Sequence, residues 1–230
     1  ELLVDTDWLA QNLDAPNLRI IDCDLFPEYR RAHIKNAVGI GVHHYIKHAD
    51  YANDPTGHPL VAPPDTYADV LQGMGISDDT LVVAYDSMGG LWATRFWWVL
   101  SYYGHTNVKV LNGGWKKWFD EGRPVTLNRP EVSSSAFQVR ERPELVCSLD
   151  YGVGHVGGGD TVFLDVRSDG EWGGSNARGN KRSGHVPGAV HLEWLNFVTS
   201  DKYQTFKPAH ELRAMLEERG VTPDKQVITY

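Results

Sequence analysis

A short glycine-rich loop carries the residues with the clearest capacity for chemistry. It has the sequence Asp86-Ser87-Met88-Gly89-Gly90 and leads into an apolar segment that begins at Leu91. A loop of this kind ahead of a helix turns backbone N–H groups, and the positive end of the helix dipole, toward whatever occupies its first position. The sequence therefore predicts an anion cradle. Its first position holds Asp86, which is itself an anion and a poor nucleophile.

The strand and turn that precede this loop occur a second time. Residues 75–85 align without a gap with residues 220–230 at a constant offset of 145, because 220 − 75 and 230 − 85 give the same value. In an open α/β sheet, reactive groups lie just beyond the carboxyl ends of the strands. The residue that follows Tyr230 is therefore expected at the first position of a second cradle.

The rest of the chain repeats as well. Asp22, expected to end a strand and to hold the following loop through backbone hydrogen bonds, recurs as Asp165 at an offset of 143 (165 − 22). His33 recurs as His185 at an offset of 152 (185 − 33). The second copy therefore carries nine extra residues (152 − 143), within residues 173–182. Two long copies predict a tandem duplication rather than a solenoid.

The elements that position these residues alternate between short apolar strands and helices, with glycines in the turns. Such alternation predicts α/β architecture with a doubly wound parallel sheet. Residues 28–37 are predicted as a turn, and Asp65 as the cap of a helix that starts at Pro63-Pro64. Residues 92–103 are predicted as a helix whose tryptophans lie in the core. Residues 227–229 are predicted as a buried strand.

Composition excludes several classes of function. The 230 residues carry a net charge of −8 and no basic run, which argues against nucleic-acid binding. No stretch approaches the roughly 18 apolar residues of a membrane span, and no signal-peptide pattern opens the sequence. Two cysteines argue against a disulfide framework and weakly favour a reducing compartment. A cytoplasmic location is expected, with a mitochondrial or periplasmic one left open.

Two further groups of reactive side chains are assigned no chemistry. Three histidines cluster, but no Cys, Asp or Glu completes a metal pattern, so a surface cluster is favoured over a zinc site; they are His43, His44 and His48. No metal or cofactor is expected. Cys23 follows a buried strand end and is interpreted as a small core residue. Cys147 lies at the entry to the second copy, and neither cysteine is expected to be the nucleophile.

Several motifs, in order across both copies, resemble the signatures of rhodanese domains. The first signature is resembled by Leu164-Asp165-Val166-Arg167, then Glu171-Trp172, then Gly184-His185-Val186-Pro187-Gly188-Ala189. The closing signature is resembled by Leu111-Asn112-Gly113-Gly114-Trp115 with Trp118. The whole chain is similar to tandem rhodanese-domain sulfurtransferases, the thiosulfate and 3-mercaptopyruvate sulfurtransferases.

This resemblance implies that the two copies have different roles. It implies an inactive first domain with Asp in its loop, which Asp86 matches, and a second domain whose loop begins with a catalytic Cys directly after Tyr230. The thiolate, stabilised by loop amides, would take sulfur from a small anionic donor as a persulfide and pass it to cyanide or a thiol. Arg178, seven residues before His185, matches the spacing of a substrate-binding arginine in mercaptopyruvate sulfurtransferases. Arg182 is a second candidate, and two solvated loop arginines are the alternative.

The sequence departs from the family pattern at Glu171. The sulfurtransferases named above commonly have an arginine at this position, four residues after Arg167. A carboxylate there would repel thiosulfate unless it points away or pairs with Arg178 or Arg182. The sulfur donor therefore stays open between thiosulfate and 3-mercaptopyruvate.

The expected organisation has three parts. Residues 1–122 form an inactive rhodanese-like domain, 123–144 a linker, and 145–230 the N-terminal part of a catalytic rhodanese-like domain that stops before its active-site loop. Residues 1–230 alone are therefore expected to be inactive. The alternative function is a non-catalytic rhodanese-like binding or regulatory module, and a weaker one is an arsenate reductase or phosphatase on a related scaffold. A Cys after Tyr230 favours the enzyme, and Asp, Ser or Gly favours the module.

Overall fold

The structure, a computed structural model, describes residues 1–40 and 61–230. The cluster of His43, His44 and His48 lies outside the described residues. The chain divides into two compact units, one of Glu1–Leu145 with Asp201–Gln204 and one of Val146–Ser200 with Thr205–Tyr230. Every helix in the described part of the chain falls short of the length and apolar character that a membrane crossing requires.

The first unit is built on a parallel sheet. Its strands, among the described residues, are β1 (Leu3–Val4), β2 (Leu18–Asp22), β3 (His33–Ile34), β4 (Ala37–Gly39), β5 (Leu81–Tyr85), β6 (Val108–Leu111) and β7 (Val125–Thr126). The main sheet has the order β1-β6-β5-β2-β4, and all of its pairs are parallel. The central strands β2 and β5 are buried along most of their length, as expected for parallel strands covered on both faces. The predicted α/β fold is confirmed here.

The helices of this unit complete its core. They are α1 (Thr6–Asn12), α2 (Phe26–Arg31), α3 (Pro64–Gly73), α4 (Leu91–Tyr102) and α5 (Gly114–Asp120). Leu9 of α1 and Trp118 of α5 are fully buried and pack in one cluster with Ile20 of β2 and Val83 of β5. The closing motif of the repeat therefore covers the same sheet that ends in the Asp86 loop.

Three local predictions differ from the structure. Residues 28–37 are not a turn, because α2 starts with Pro27 in its first turn, where proline is favoured, and is followed by β3 and β4. Asp65 does not cap α3, since the N-cap is Pro63 and makes no side-chain hydrogen bond. Asp65 lies in the first turn, where its charge complements the helix dipole. The tryptophans Trp97 and Trp98 of α4 are only half-buried.

The segment predicted as a linker lies against the first unit. Within residues 123–144, β7 pairs antiparallel with β3, and Phe137 is buried. Further along, the N–H of Arg142 donates to the carbonyl of Tyr102 at 2.7 Å. This segment therefore packs with the compact first unit, which extends to Leu145.

The second unit repeats the central part of the first. Its strands are β8 (Thr161–Asp165), β9 (Val190–His191) and β10 (Gln226–Thr229), and its helices are α6 (Leu149–His155), α7 (Asp169–Trp172) and α8 (Ala209–Glu217). The strand order β10-β8-β9, all parallel, matches the order β5-β2-β4 in the first unit. The duplication seen in the sequence is therefore a duplication of topology.

Strand β10 exists where it was predicted, but it is not buried. Its side chains are exposed or half-buried, and Val227 is 38% exposed. The side chains of a strand point to the two faces of the sheet, where helices cover them. Helix α4 packs against β5, whereas among the described residues no helix packs against β10 to a comparable extent.

Asp22 holds the end of β2 in the predicted way. Its Oδ1 accepts a hydrogen bond from the N–H of Asp24 at 2.9 Å, and its Oδ2 accepts one from the hydroxyl of Tyr85 at 2.5 Å. The carboxyl is 2% exposed. Burial raises the pKa of Asp22 from 3.8 to about 7, and the charges of Asp24 and Asp86 act in the same direction, against the Tyr85 hydrogen bond.

This burial predicts a pH dependence of stability. The folded state holds the Asp22 proton more tightly than the unfolded state does, so the free energy of unfolding falls as pH rises from 3.8 to about 7. Asp22→Asn removes that titration while keeping an oxygen for the Asp24 N–H. Over this window the wild type should lose on the order of 3 kcal/mol relative to Asp22→Asn. Unfolding midpoints measured across the window test this, with the exposed Asp14→Asn as control. Parallel pH profiles for wild type and Asp22→Asn would contradict it.

Candidate functional site

The loop after β5 closes around the side chain of Asp86. Its Oδ1 accepts hydrogen bonds from the N–H groups of Met88 and Gly90, both at 2.9 Å. Its Oδ2 accepts from Trp92 and Ala93, in the first turn of α4, at 2.7 and 2.8 Å. Asp86 is 2% exposed. The carboxylate thus satisfies N–H groups that a helix start leaves without partners. The predicted anion cradle is present, and the protein's own carboxylate fills it.

Two glycines make this closure possible. Gly90 caps α4 with a φ of 89°, a conformation that side chains with a Cβ rarely adopt. Gly114 opens α5 with a φ of 51°, and a Cβ there would lie 2.1 Å from the carbonyl oxygen of Asp86. That carbonyl accepts a hydrogen bond from the N–H of Trp115 at 2.9 Å. The Gly-Gly-Trp motif therefore brings the start of α5 against the back of the cradle.

The surroundings of this cradle are acidic. Asp24 accepts hydrogen bonds from the N–H and the hydroxyl of Ser87, at 3.0 and 2.9 Å, and so fixes the residue that follows Asp86. Burial raises the pKa of Asp24, and the nearby charge of Asp86 adds to this effect. With Asp22, three carboxyl groups meet at this strand end.

The corresponding strand end in the second unit is built in the same way. The hydroxyl of Tyr230 accepts a hydrogen bond from the N–H of Val186 at 2.9 Å, as that of Tyr85 does from Ile34 at 3.1 Å. The carbonyl of Tyr230 accepts from the N–H of Val166 at 3.2 Å, as that of Tyr85 does from Cys23 at 2.8 Å. The tyrosine is therefore fixed from both its side chain and its backbone. By this register, the position after Tyr230 corresponds to that of Asp86.

Arg167 distinguishes the second unit from the first. It occupies the position of Asp24 (167 − 24 = 143) and binds the fully buried Asp165 with two nitrogens: Nε to Oδ1 at 2.9 Å and a terminal nitrogen to Oδ2 at 2.5 Å. Burial acts to raise the pKa of Asp165, but the hydrogen bonds and charge of Arg167 outweigh it and hold that pKa below its usual value. The aspartate that titrates near neutrality in the first unit is thus kept ionised in the second.

Glu171 does not face the site as a free charge. It is buried, and its Oε2 accepts a hydrogen bond from the hydroxyl of Ser168 at 2.7 Å in a capping box at the start of α7. This hydrogen bond is the main reason that the pKa of Glu171 lies below its usual value. The other oxygen, Oε1, lies 3.4 Å from Nε of Arg178. Pairing with Arg178, one of the alternatives left open above, is therefore what the structure shows.

The two predicted donor-binding arginines differ in how firmly they are held. Arg178 has a φ of 46°, its N–H donates to Oδ1 of Asn176 at 3.0 Å, and its side chain is 68% exposed apart from the contact with Glu171. Arg182 is exposed and makes no ion pair or side-chain hydrogen bond with the described residues. Only Arg178 is oriented by a neighbouring side chain.

Sequence reasoning missed two contributors to this site. The Ser168/Glu171 spacing is that of a capping box, so the orientation of Glu171 was available from the sequence. The stacking of Trp172 between His185 and His191, at ring-centroid distances of 3.5 and 4.9 Å, carried no such signal because the three lie far apart in the chain.

Neither cysteine of the sequence belongs to a cradle. Burial raises the pKa of the Cys23 thiol well above its usual value, with the charges of Asp86 and Asp22 adding to it, so this thiol stays protonated. Cys147 is exposed, beside the start of α6. The described residues contain no group of three or more His, Cys, Asp or Glu side chains that could hold a metal ion.

Known proteins share this arrangement. The sequence matches the rhodanese-like domain family over residues 5–121 and again over 149–230. The sulfur carrier protein TtuD of Thermus thermophilus is 34% identical over 245 residues, which covers 100% of this chain and 82% of that protein. The thiosulfate sulfurtransferase of Azotobacter vinelandii is 31% identical over 230 residues, with coverage of 100% and 82%.

Solved structures are also similar to this chain along nearly its whole length. SseA from Escherichia coli, a 3-mercaptopyruvate sulfotransferase, superposes with a TM-score of 0.84 and 26% identity, covering 99% of this chain and 87% of that one. The likeness therefore extends over both units rather than one. With the family matched in each half and relatives similar along the full sequence, the chain belongs to the rhodanese-like domain family.

Proposed function

We propose that the protein is a sulfurtransferase that moves a sulfane sulfur from thiosulfate or 3-mercaptopyruvate to cyanide or a thiol through a cysteine persulfide. Relatives that carry the name thiosulfate sulfurtransferase support sulfur transfer in general. The observation that carries the proposal is the common register of the two strand ends. It gives the residue after Tyr230 the place that Asp86 has in front of four backbone N–H groups. The nucleophile of the proposed reaction is a cysteine at that position.

The cradle suits each step of this reaction. A cysteine thiolate there attacks the outer sulfur of the donor, and the bond between that sulfur and the rest of the donor breaks. Its electron pair leaves with sulfite from thiosulfate, or with the enolate of pyruvate from 3-mercaptopyruvate, which then takes up a proton. The acceptor attacks the outer sulfur of the persulfide, and the cysteine thiolate leaves. The thiolate and the deprotonated persulfide are both anions, so fixed N–H groups stabilise both.

The positive charges of Arg178 and Arg182, in the loop of residues 173–182, support an anionic donor. We assign the donor contact to Arg178, whose Nε is held by Glu171 at 3.4 Å while the rest of the guanidinium is exposed. Arg182, nearby in the same loop, is the second candidate. Glu171 offsets the positive charge of Arg178, so the pair attracts doubly charged thiosulfate less than a free arginine would. A cytoplasmic location stays a prediction from cysteine usage.

The proposed persulfide predicts half-reactions. Full-length protein mixed with donor and no acceptor should release one sulfite or pyruvate per chain in a burst and then stop. Adding cyanide should restart turnover, because the persulfide returns to the thiolate. Product release measured with and without cyanide tests this. Absence of the burst with both donors would contradict the proposal and would favour the non-catalytic binding module.

The filled cradle predicts that Asp86 supports stability and not turnover. Asp86→Ala leaves four backbone N–H groups, of which that of Ala93 is buried, without their acceptor and should cost on the order of 3 kcal/mol of unfolding free energy. Sulfur transfer should fall less than about tenfold, since a carboxylate cannot form a persulfide. Unfolding and turnover measured on one preparation test both parts, with the exposed Asp79→Ala as control. A larger loss of turnover in folded protein would contradict the assignment.

The ion pair at the entrance predicts donor selectivity. Arg178→Ala should raise KM for the anionic donor by roughly tenfold or more, the value of one charge-assisted hydrogen bond. Glu171→Gln keeps the capping-box geometry but removes the charge, so it should improve kcat/KM for thiosulfate more than for 3-mercaptopyruvate. Kinetics with both donors test this, with Arg213→Ala as a control that removes one exposed positive charge from α8. An unchanged kcat/KM in Arg178→Ala would remove Arg178 from the site.

A further inference from the structure

We propose that Arg167 is the positioning residue whose positive charge allows the second unit, and not the first, to hold a reactive anion at the end of its central strand. The proposal rests on the proposed function, because it assigns the reactive anion to the position after Tyr230. It goes beyond that function because it names Arg167 as the residue whose charge makes the two strand ends differ.

Arg167 joins three segments that surround this position. Its guanidinium binds Asp165 at the end of β8 with two nitrogens, and one of these also donates to the carbonyl of Gly184 at 2.9 Å. The same group lies over the ring of Tyr230, at 5.0 Å from the ring centre. The side chain therefore reaches the last residue before the proposed nucleophile and fixes that residue's ring from one face.

The first unit shows what the same position can reach. Asp24, the counterpart of Arg167, accepts hydrogen bonds from the N–H and hydroxyl of Ser87, the residue directly after Asp86. A side chain at this position is thus in contact with the start of the loop that forms the cradle. Arg167 has the opposite charge and five donors, and its guanidinium reaches Tyr230, the residue that corresponds to Tyr85 directly before Asp86.

The charged groups at the two positions differ by the exchange of one carboxylate for a cation that pairs with Asp165. In the first unit, Asp24 lies with Asp22 beside the cradle, and their charges act on the buried Cys23 and on each other. In the second unit, Arg167 replaces one of the two carboxylates with a cation. The ionisable groups that face Arg167 are Asp165 of β8, Glu171 of α7 and Tyr230 after β10, and the ring of His191 on β9 contacts its carbonyl.

The consequence concerns the anion itself. A nearby cation favours the thiolate over the thiol, whereas two nearby carboxylates favour the thiol. The first unit has Asp24 where the second has Arg167. The ionised thiolate is therefore less favoured beside Asp24 and more favoured beside Arg167. In the first unit, four backbone N–H groups hydrogen-bond the side chain of Asp86.

Two experiments test the charge of Arg167. In full-length protein, the pH dependence of iodoacetamide alkylation is followed by peptide mapping for the cysteine after Tyr230, with exposed Cys147 as an internal reference. At about pH 6, Arg167→Gln should slow alkylation of the reactive cysteine by roughly tenfold, one pKa unit, while Arg167→Lys slows it by less than about threefold. Cys147 should react alike in all variants, as should both cysteines in the control Arg213→Gln.

The second experiment uses the first unit and needs no catalytic activity. The thiol introduced by Asp86→Cys is compared with and without Asp24→Arg, and its ionisation is read from the infrared S–H stretch, which needs no reagent to enter the loop. Asp24→Arg should move the ionisation midpoint down by about one pH unit. The proposal is overturned if Asp24→Arg leaves that midpoint unchanged, or if Arg167→Gln and Arg167→Lys alkylate alike. A wild-type protein that shows the expected alkylation profile but no sulfur transfer with either donor would instead count against the proposed function.

Discussion

An anion buried at the carboxyl end of a parallel sheet needs hydrogen bonds from backbone N–H groups. The rest of this structure depends on that requirement. The four N–H groups around Asp86 supply these hydrogen bonds. The glycines at positions 90 and 114 exist because the loop must turn sharply and α5 must approach the carbonyl of Asp86. The strand order also contributes, because β5 is the central strand and the cradle therefore lies at the centre of the sheet rather than at its edge.

Duplication placed two such strand ends in one chain, and the structure shows how they diverged. The first unit fills its cradle with its own carboxylate and surrounds it with Asp22 and Asp24. The second unit keeps the tyrosine and its two backbone contacts but replaces Asp24 with Arg167, which holds Asp165 ionised. The two strand ends therefore differ in the charge of the side chain at the position of Asp24 and Arg167. Glu171 is bound to Ser168 and Arg178, so it leaves no free negative charge beside this strand end.

Much of this was available from the sequence because it depends on local patterns. The strand ends, the cradle and the duplication follow from apolar runs, glycines and constant offsets. The errors arose where tertiary contacts decide. Asp65 lies in the first turn of α3 rather than at its N-cap, and Trp97 and Trp98 of α4 are only half-buried. The contacts of Arg167 with Gly184 and Tyr230 join residues distant in sequence, so no spacing rule indicates them.

The central claim is that only the second strand end carries reactive sulfur, and the location of that sulfur tests it most directly. Full-length protein is treated with thiosulfate or 3-mercaptopyruvate, its thiols are blocked, and peptides are mapped by mass. The account predicts an added mass of about 32 Da, one sulfur atom, on a cysteine in the peptide that follows β10, removable by cyanide. Cys23 and Cys147 should remain unmodified by sulfur. Sulfur on Cys147, or none on any cysteine of an active preparation, would contradict the account.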